Sequence, residues 1–206
     1  MMKPNFIENF ITKETCDYIN SYMVKNNLLD EKGKCMIYVN EDSGENAVCM
    51  GWFPEIYSFL KSLKTQSNDN FLIYDLFNLI GKNMCNVFDF KQSEMIYETS
   101  HYKYFGVETV GDGLGSEKNG ENGQLPHSDH WGEGGDIYTA VLYLNDEYEG
   151  GEIVFYENND EKRPIPYKVK TGTLVYFNGH TLHSVENVTR GERASFIVHA
   201  RHKEIN

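Results

Sequence analysis

Ile137-Tyr138-Thr139-Ala140-Val141-Leu142-Tyr143-Leu144 is an almost unbroken apolar run rich in β-branched and aromatic residues. Eight residues is a strand length, and the lack of polar alternation marks a strand covered on both faces. Downstream, Asn145 to Glu149 turn the chain, and Gly150-Gly151-Glu152-Ile153-Val154-Phe155-Tyr156 begins a second strand before a loop at Asn158 to Arg163. Pro166 to Lys170, Thr173 to Phe177 and Ala194 to Ala200 read as further strands, with Gly172, Gly179 and Gly191 at the turns. Upstream, Glu94 to Phe105 is a Tyr-rich strand with Met95, Tyr97, Thr99 and His101 on one face. Ile96, Glu98, Ser100, Tyr102 and Tyr104 occupy the other. Many short strands at regular spacing predict an α+β, mainly β fold whose core is an antiparallel double-sheet jelly roll.

The first ninety residues have a different texture. After the short alternation Asn5 to Ile11, Thr12 stands at a helix N-cap with Glu14 in the first turn, and Cys16, Ile19 and Met23 share one face. These predict a helix over residues 13 to 26. Cys35 to Val39 and Ala47 to Met50 suggest two short strands, and Pro54 to Leu63 a helix. Asn68-Asp69-Asn70 caps a longer helix, with Phe71, Leu72, Leu76, Leu79, Ile80 and Met84 as its apolar stripe. The expectation is one domain over residues 1 to 206, a support region to residue 93 and a jelly-roll core from residue 94. Gly106 to Gly123, with six glycines among acidic and amide residues, is a long loop, either a lid or a surface excursion.

A formal charge of -12 gives no electrostatic footprint for nucleic acid or an anionic membrane. Cys16, Cys35, Cys49 and Cys85 form no C-x-x-C pair, and neither a signal peptide nor an apolar run of spanning length is present. A soluble, intracellular, cytoplasmic protein is expected, in a reducing compartment that suits ferrous iron.

Leu125-Pro126-His127-Ser128-Asp129-His130 leads into the buried strand. In extended chain, His127 and Asp129 point to the same side and can converge on one cation. A second histidine is available at His183, just beyond Thr173 to Phe177. Two imidazoles and one carboxylate with open positions favour non-haem Fe(II) and oxygen chemistry, whereas a structural zinc site would close with thiolates. His130 and His180 compete as ligands but are read as supporting or surface residues, since a further protein ligand would block the open position. His101, His199 and His202 are read as ordinary residues, His199 continuing the strand face of Arg193 and Ser195. Trp131 either walls a substrate entrance or is a packed aromatic. Glu152 is read as a turn or edge residue.

Beyond these residues, the chain resembles the 2-oxoglutarate- and Fe(II)-dependent oxygenases, closest to their prolyl 4-hydroxylase branch. The resemblance rests on His127-Ser128-Asp129, Tyr143-Leu144-Asn145, Gly150-Gly151-Glu152 with Phe155, Gly172 with Phe177, His183-Ser184-Val185 and Gly191 to Ser195. It covers roughly residues 95 to 200, about half the chain. It implies a double-stranded β-helix with N-terminal helices packed on its major sheet, and Fe(II) held by His127, Asp129 and His183. It further implies 2-oxoglutarate bound at its far carboxylate by Arg193, where collagen-type members carry Lys, with Tyr143, Ser195 and Thr139 alongside. Guanidinium suits that place because it binds carboxylate bidentately and keeps its charge when buried. Tyr104, before Gly106, matches a family tyrosine less firmly, and Tyr102 lies on the same face. The implied activity consumes O2, decarboxylates 2-oxoglutarate to succinate and CO2, and hydroxylates a C–H bond, with ascorbate as a supporting reductant. Asp129 argues for hydroxylation rather than halogenation, which replaces that carboxylate with a small residue.

Three readings of the substrate stay open. One is a prolyl residue in a peptide or protein, which the branch favours. Another is a free amino acid, other small molecule or alkylated base. The third is a metal-binding jelly roll without turnover.

Overall fold

The computed structural model describes residues 3–25, 51–52, 68–91, 94–106, 123–130 and 136–202. The chain begins with β1 (Asn5–Ile7), α1 (Lys13–Lys25), β2 (Gly51–Trp52), α2 (Asn68–Phe88) and β3 (Met95–Gly106). Then follow β4 (Gln124–His127), β5 (Ile137–Tyr143), β6 (Glu149–Gly150), β7 (Ile153–Tyr156), β8 (Pro164–Tyr167) and β9 (Leu174–Asn178). The short strands β10 (His183–Val185) and β11 (Val188–Arg190) lead into β12 (Glu192–His202). A six-stranded sheet in the order β1-β9-β5-β12-β3-β2 faces a four-stranded sheet β4-β10-β7-β8, and β6 pairs with β11 at one end. All neighbours are antiparallel, so the core is a jelly roll.

Strand β5 runs centrally in the larger sheet, and its period of two separates two cores. Ala140 and Leu142 face outward with Leu174, Tyr176, Phe196, Val198 and Ala200, and are covered by Cys16 and Ile19 of α1 and Leu76, Ile80 and Met84 of α2. Val141 and Tyr143 face inward with Ile153, Phe155, Val175, Phe177 and Ile197, the filling between the sheets. This is why the run carries almost no polar alternation: both faces are buried. Thr12 caps α1 by accepting a hydrogen bond from the Thr15 N–H at 3.2 Å.

Some boundaries differ from the sequence reading. The expected strand from Gly150 is two strands, because Gly150 (φ 68°) and Gly151 (φ 67°) take left-handed conformations that break the ladder. The strand expected at Pro166 starts at Pro164 and ends at Tyr167. Helix α2 begins at Asn68 itself, inside the expected cap. Leu79 lies off the buried stripe and is 42% exposed, since Leu76, Ile80 and Met84 recur at four-residue spacing and leave it at the edge. The strands expected at 35–39 and 47–50, the helix at 54–63, Trp131 and most of the Gly106 to Gly123 loop lie outside the described residues. Among the described residues no helix is long and apolar enough to cross a membrane.

Candidate metal centre and anion site

Strand pairing brings two of the three expected ligands together directly: His127 at the end of β4 is the register partner of His183 at the start of β10. Their imidazole centroids are 4.3 Å apart. Asp129, two residues past β4, lies between them, its Oδ1 3.6 Å from His127 Nε2 and its Oδ2 3.6 Å from His183 Nε2. One ligand atom from each residue falls within 4.8 Å of the others.

The surroundings prepare these atoms for a cation. His127 Nδ1 lies 2.7 Å from the Leu125 carbonyl and His183 Nδ1 lies 3.0 Å from the Thr181 carbonyl. A carbonyl only accepts, so Nδ1 carries the proton in each ring and the Nε2 lone pair faces Asp129. The Thr139 hydroxyl donates to Asp129 Oδ2 at 2.6 Å. His199 Nε2 is 3.4 Å from that same oxygen. Burial alone would raise the Asp129 carboxyl, but the positive charge of His183 and His199 when protonated, with the hydrogen bonds from His199 and Thr139, outweighs it and holds the group well below the usual carboxylate range. Phe177 packs against His183 at 4.6 Å between ring centroids, and Phe155 is at 6.2 Å, which fixes the ring and keeps the site apolar on that side.

The other end of the interior holds Arg193, only 1% exposed. Its Nη2 donates to the Tyr143 hydroxyl at 2.9 Å and its Nη1 to Ser195 Oγ at 3.3 Å. Burial works against the charge, yet the Tyr143 and Tyr148 hydroxyls outweigh it and raise the guanidinium above its ordinary value. Burial also pushes Tyr143 up and Tyr148 up to about 12, so both stay neutral donors. Gly151 makes room for this arrangement, since a Cβ there would stand 3.1 Å from Arg193 Cδ and 3.0 Å from the Tyr148 ring.

The register β5 to β12 links the two ends: Thr139 pairs with His199 and Tyr143 with Ser195. Paired residues share a face, so one inward face carries the Asp129 contacts at one end and the Arg193 contacts at the other. Four residues separate these levels, about 13 Å along the strand. The sequence reading set His199 aside as ordinary. Its place in the alternation from Arg193 and Ser195 was visible, but its contact with Asp129 depends on tertiary structure.

Tyr104 and Tyr102 lie on β3, whose backbone register with β12 is defined. The register pairs Tyr104 with Ala194 and Tyr102 with Phe196. The positions opposite Arg193 and Ser195 are Phe105 and Lys103.

Comparison with known proteins agrees with this geometry. Residues 116–201 match the model of the 2OG-Fe(II) oxygenase superfamily. This segment is similar to the 2OG-Fe(II) oxygenases. The chain is 40% identical over 60 residues to prolyl 3-hydroxylase 2 of Rattus norvegicus, an alignment spanning 28% of the chain and 8% of that relative. It is 40% identical over 57 residues to a PKHD-type hydroxylase of Nitrosomonas europaea, spanning 27% of the chain and 24% of the relative. The chain thus spans under a quarter of the length of these curated relatives.

Among solved structures, it is similar to the viral collagen prolyl hydroxylase of Paramecium Bursaria Chlorella virus-1, solved as its 2OG complex. The TM-score is 0.59 at 16% identity, with 98% of this chain and 97% of that one covered. EvdO2 from Micromonospora carbonacea var. aurantiaca gives a TM-score of 0.64 at 11% identity, covering 97% and 86%. At these identities the structures support the jelly-roll fold alone.

Proposed function

We propose that the protein is a 2-oxoglutarate- and Fe(II)-dependent dioxygenase that hydroxylates a C–H bond, with a prolyl residue in a peptide or protein as its substrate. The observation that carries this reading is one inward face with a His127, Asp129, His183 cluster at one end and the buried guanidinium of Arg193 at the other. The donor set fits Fe(II): two imidazoles with Nδ1 committed to backbone carbonyls and one carboxylate, without thiolates.

In this reading His127, Asp129 and His183 hold the ion. Thr139 and His199 orient Asp129. Arg193 pairs with the far carboxylate of 2-oxoglutarate, and Tyr143 and Ser195 fix the guanidinium plane. The chemistry that such a metal and keto acid supply is reduction of dioxygen coupled to decarboxylation, with one oxygen atom entering succinate and the other the substrate C–H bond. Phe155 and Phe177 exclude water beside His183.

The prolyl assignment rests on the hydroxylases among the relatives, two of which carry prolyl hydroxylase in their names. Free, buried Cys16 and Cys85 fit a reducing cytoplasmic setting. The test is anaerobic addition of Fe(II) and then 2-oxoglutarate, with ascorbate keeping the iron ferrous in later turnover. A weak visible charge-transfer band that is lost in His183→Ala and Arg193→Ala is expected. Binding of iron without the band would overturn the co-substrate assignment. Proline-containing peptides should then gain one oxygen atom by mass, and gain of oxygen only by free amino acids would replace the peptide reading.

A further inference from the structure

We infer that His130, Asp136 and His180 form a second metal site, on the rim of the barrel, for a borderline divalent ion of the zinc, copper or nickel class. One ligand atom from each lies within 4.8 Å of the others. His180 Nε2 is 3.2 Å from Asp136 Oδ1. Two ligands on a tetrahedral ion with bonds of about 2.0–2.1 Å stand about 3.3 Å apart, so this pair is already at a bonding edge. The His130 and His180 rings stack at 3.8 Å between centroids and 27° between planes, so the two imidazoles are already adjacent and reach one ion by rotating out of the stack.

The backbone holds this triad in place, and Gly179 is where its three parts meet. The Gly179 N–H donates to the Ile137 carbonyl at 2.7 Å, tying the neighbour of His180 to the neighbour of Asp136. A Cβ at Gly179 would stand 3.3 Å from the Asp129 carbonyl carbon, the atom bonded to the His130 nitrogen. The turn carrying His180 is fastened twice more. Asn159 Nδ2 donates to the His180 carbonyl at 2.9 Å, and Asn159 Oδ1 accepts from the Leu182 N–H at 2.9 Å. The His202 N–H donates to the Asp136 carbonyl at 3.1 Å.

The ligand chemistry selects the ion. Two imidazoles and one carboxylate without a thiolate suit zinc, copper, nickel or cobalt, whereas calcium and magnesium require mostly oxygen. All three side chains are exposed, so the two rings are free to turn from their stack toward an ion, and water completes the coordination. Such an ion clasps the chain just after Asp129 to the turn just before His183, joining the two segments that supply the inner cluster.

The test is metal stoichiometry with Zn(II) and, for its absorption, Co(II), by calorimetry and by equilibrium dialysis with metal analysis. The wild-type chain should take up two ions at micromolar metal. His180→Ala and His130→Ala should each take up one, His183→Ala one, and His180→Ala with His183→Ala none. His202→Ala, a control outside both clusters, should still take up two, and far-UV circular dichroism checks that each variant is folded. Unchanged stoichiometry in His180→Ala and His130→Ala, or a second ion bound only at millimolar metal, overturns the proposal. A failure of the inner assignment reads differently: His183→Ala keeps its count while His180→Ala still loses an ion.

Discussion

The inner and rim clusters have the same composition, two histidines and one aspartate, and differ in everything around them. Asp129 and His183 are buried, both inner imidazoles have Nδ1 committed to a carbonyl, and Asp129 takes a hydrogen bond from Thr139. His130, Asp136 and His180 are exposed and meet mainly one another. Composition alone therefore does not distinguish a centre for chemistry from a surface clasp. Burial and the groups behind the ligands do, because they fix which nitrogen faces the ion, keep the carboxylate ionised and exclude water.

The most direct way to break this contrast is to remove an inner ligand. His183→Ala or Asp129→Ala should abolish Fe(II) binding at the inner cluster at micromolar metal, and retained iron would mean that burial confers nothing there. The next largest effect is expected at the anion end. Arg193→Ala should weaken 2-oxoglutarate binding on the order of 100-fold or more, as for loss of one partner of a buried charge pair, while iron affinity is kept. Equal affinity for 2-oxoglutarate in the variant would remove Arg193 from the co-substrate site.

Smaller changes sharpen the comparison, since they leave every ligand in place. Thr139→Val deletes the donor to Asp129 Oδ2 and should lower inner metal affinity roughly 10- to 100-fold without changing the rim ion. His199→Phe should act in the same direction. If both leave affinity unchanged, the groups behind Asp129 are packing and not support.

The smallest effect concerns a buried hydroxyl. Tyr148 titrates at about 12 because it is buried, against about 10 in an unfolded chain. The folded state holds that proton more tightly, so the stabilisation is complete below pH 10 and is lost as pH rises toward 12. Urea unfolding at pH 9 and pH 11 should show a stability loss that is about 1.4 kcal/mol smaller in Tyr148→Phe than in the wild type. The same alkaline loss in both would place the Tyr148 hydroxyl in contact with solvent.

The long elements were legible and the short ones were not, for a physical reason. β5 announces itself because seven residues, six of them buried, leave a continuous apolar run. α1 shows its Thr12 cap and its Cys16 and Ile19 spacing. β6, β10 and β11 have two or three residues each, too few for any period to register, and exist because neighbours pair with them. The spacing of His127 and Asp129 was readable, as was the face shared by Arg193 and Ser195. The approach of His199 to Asp129 was not, because it joins residues far apart in the chain. The rim cluster was visible only in part: His130 and His180 stand out as competing ligands read as supporting or surface residues, but nothing in the sequence joins Asp136 to them until Gly179 brings their segments together.

The pairing of His127 with His183 across β4 and β10 has a kinetic consequence. Those residues lie far apart in sequence, and contacts of that kind close late and slowly. A slip of one residue would turn His127 to the opposite face of the sheet. The ladder is interrupted between His183 and Val185, an irregularity of the sort that pins one alignment against its neighbours. A refolding chain therefore gains its inner ion-binding ability when the smaller sheet closes in register, and in His180→Ala, which lacks the rim ion, the appearance of Co(II) absorption in stopped flow would time that closure.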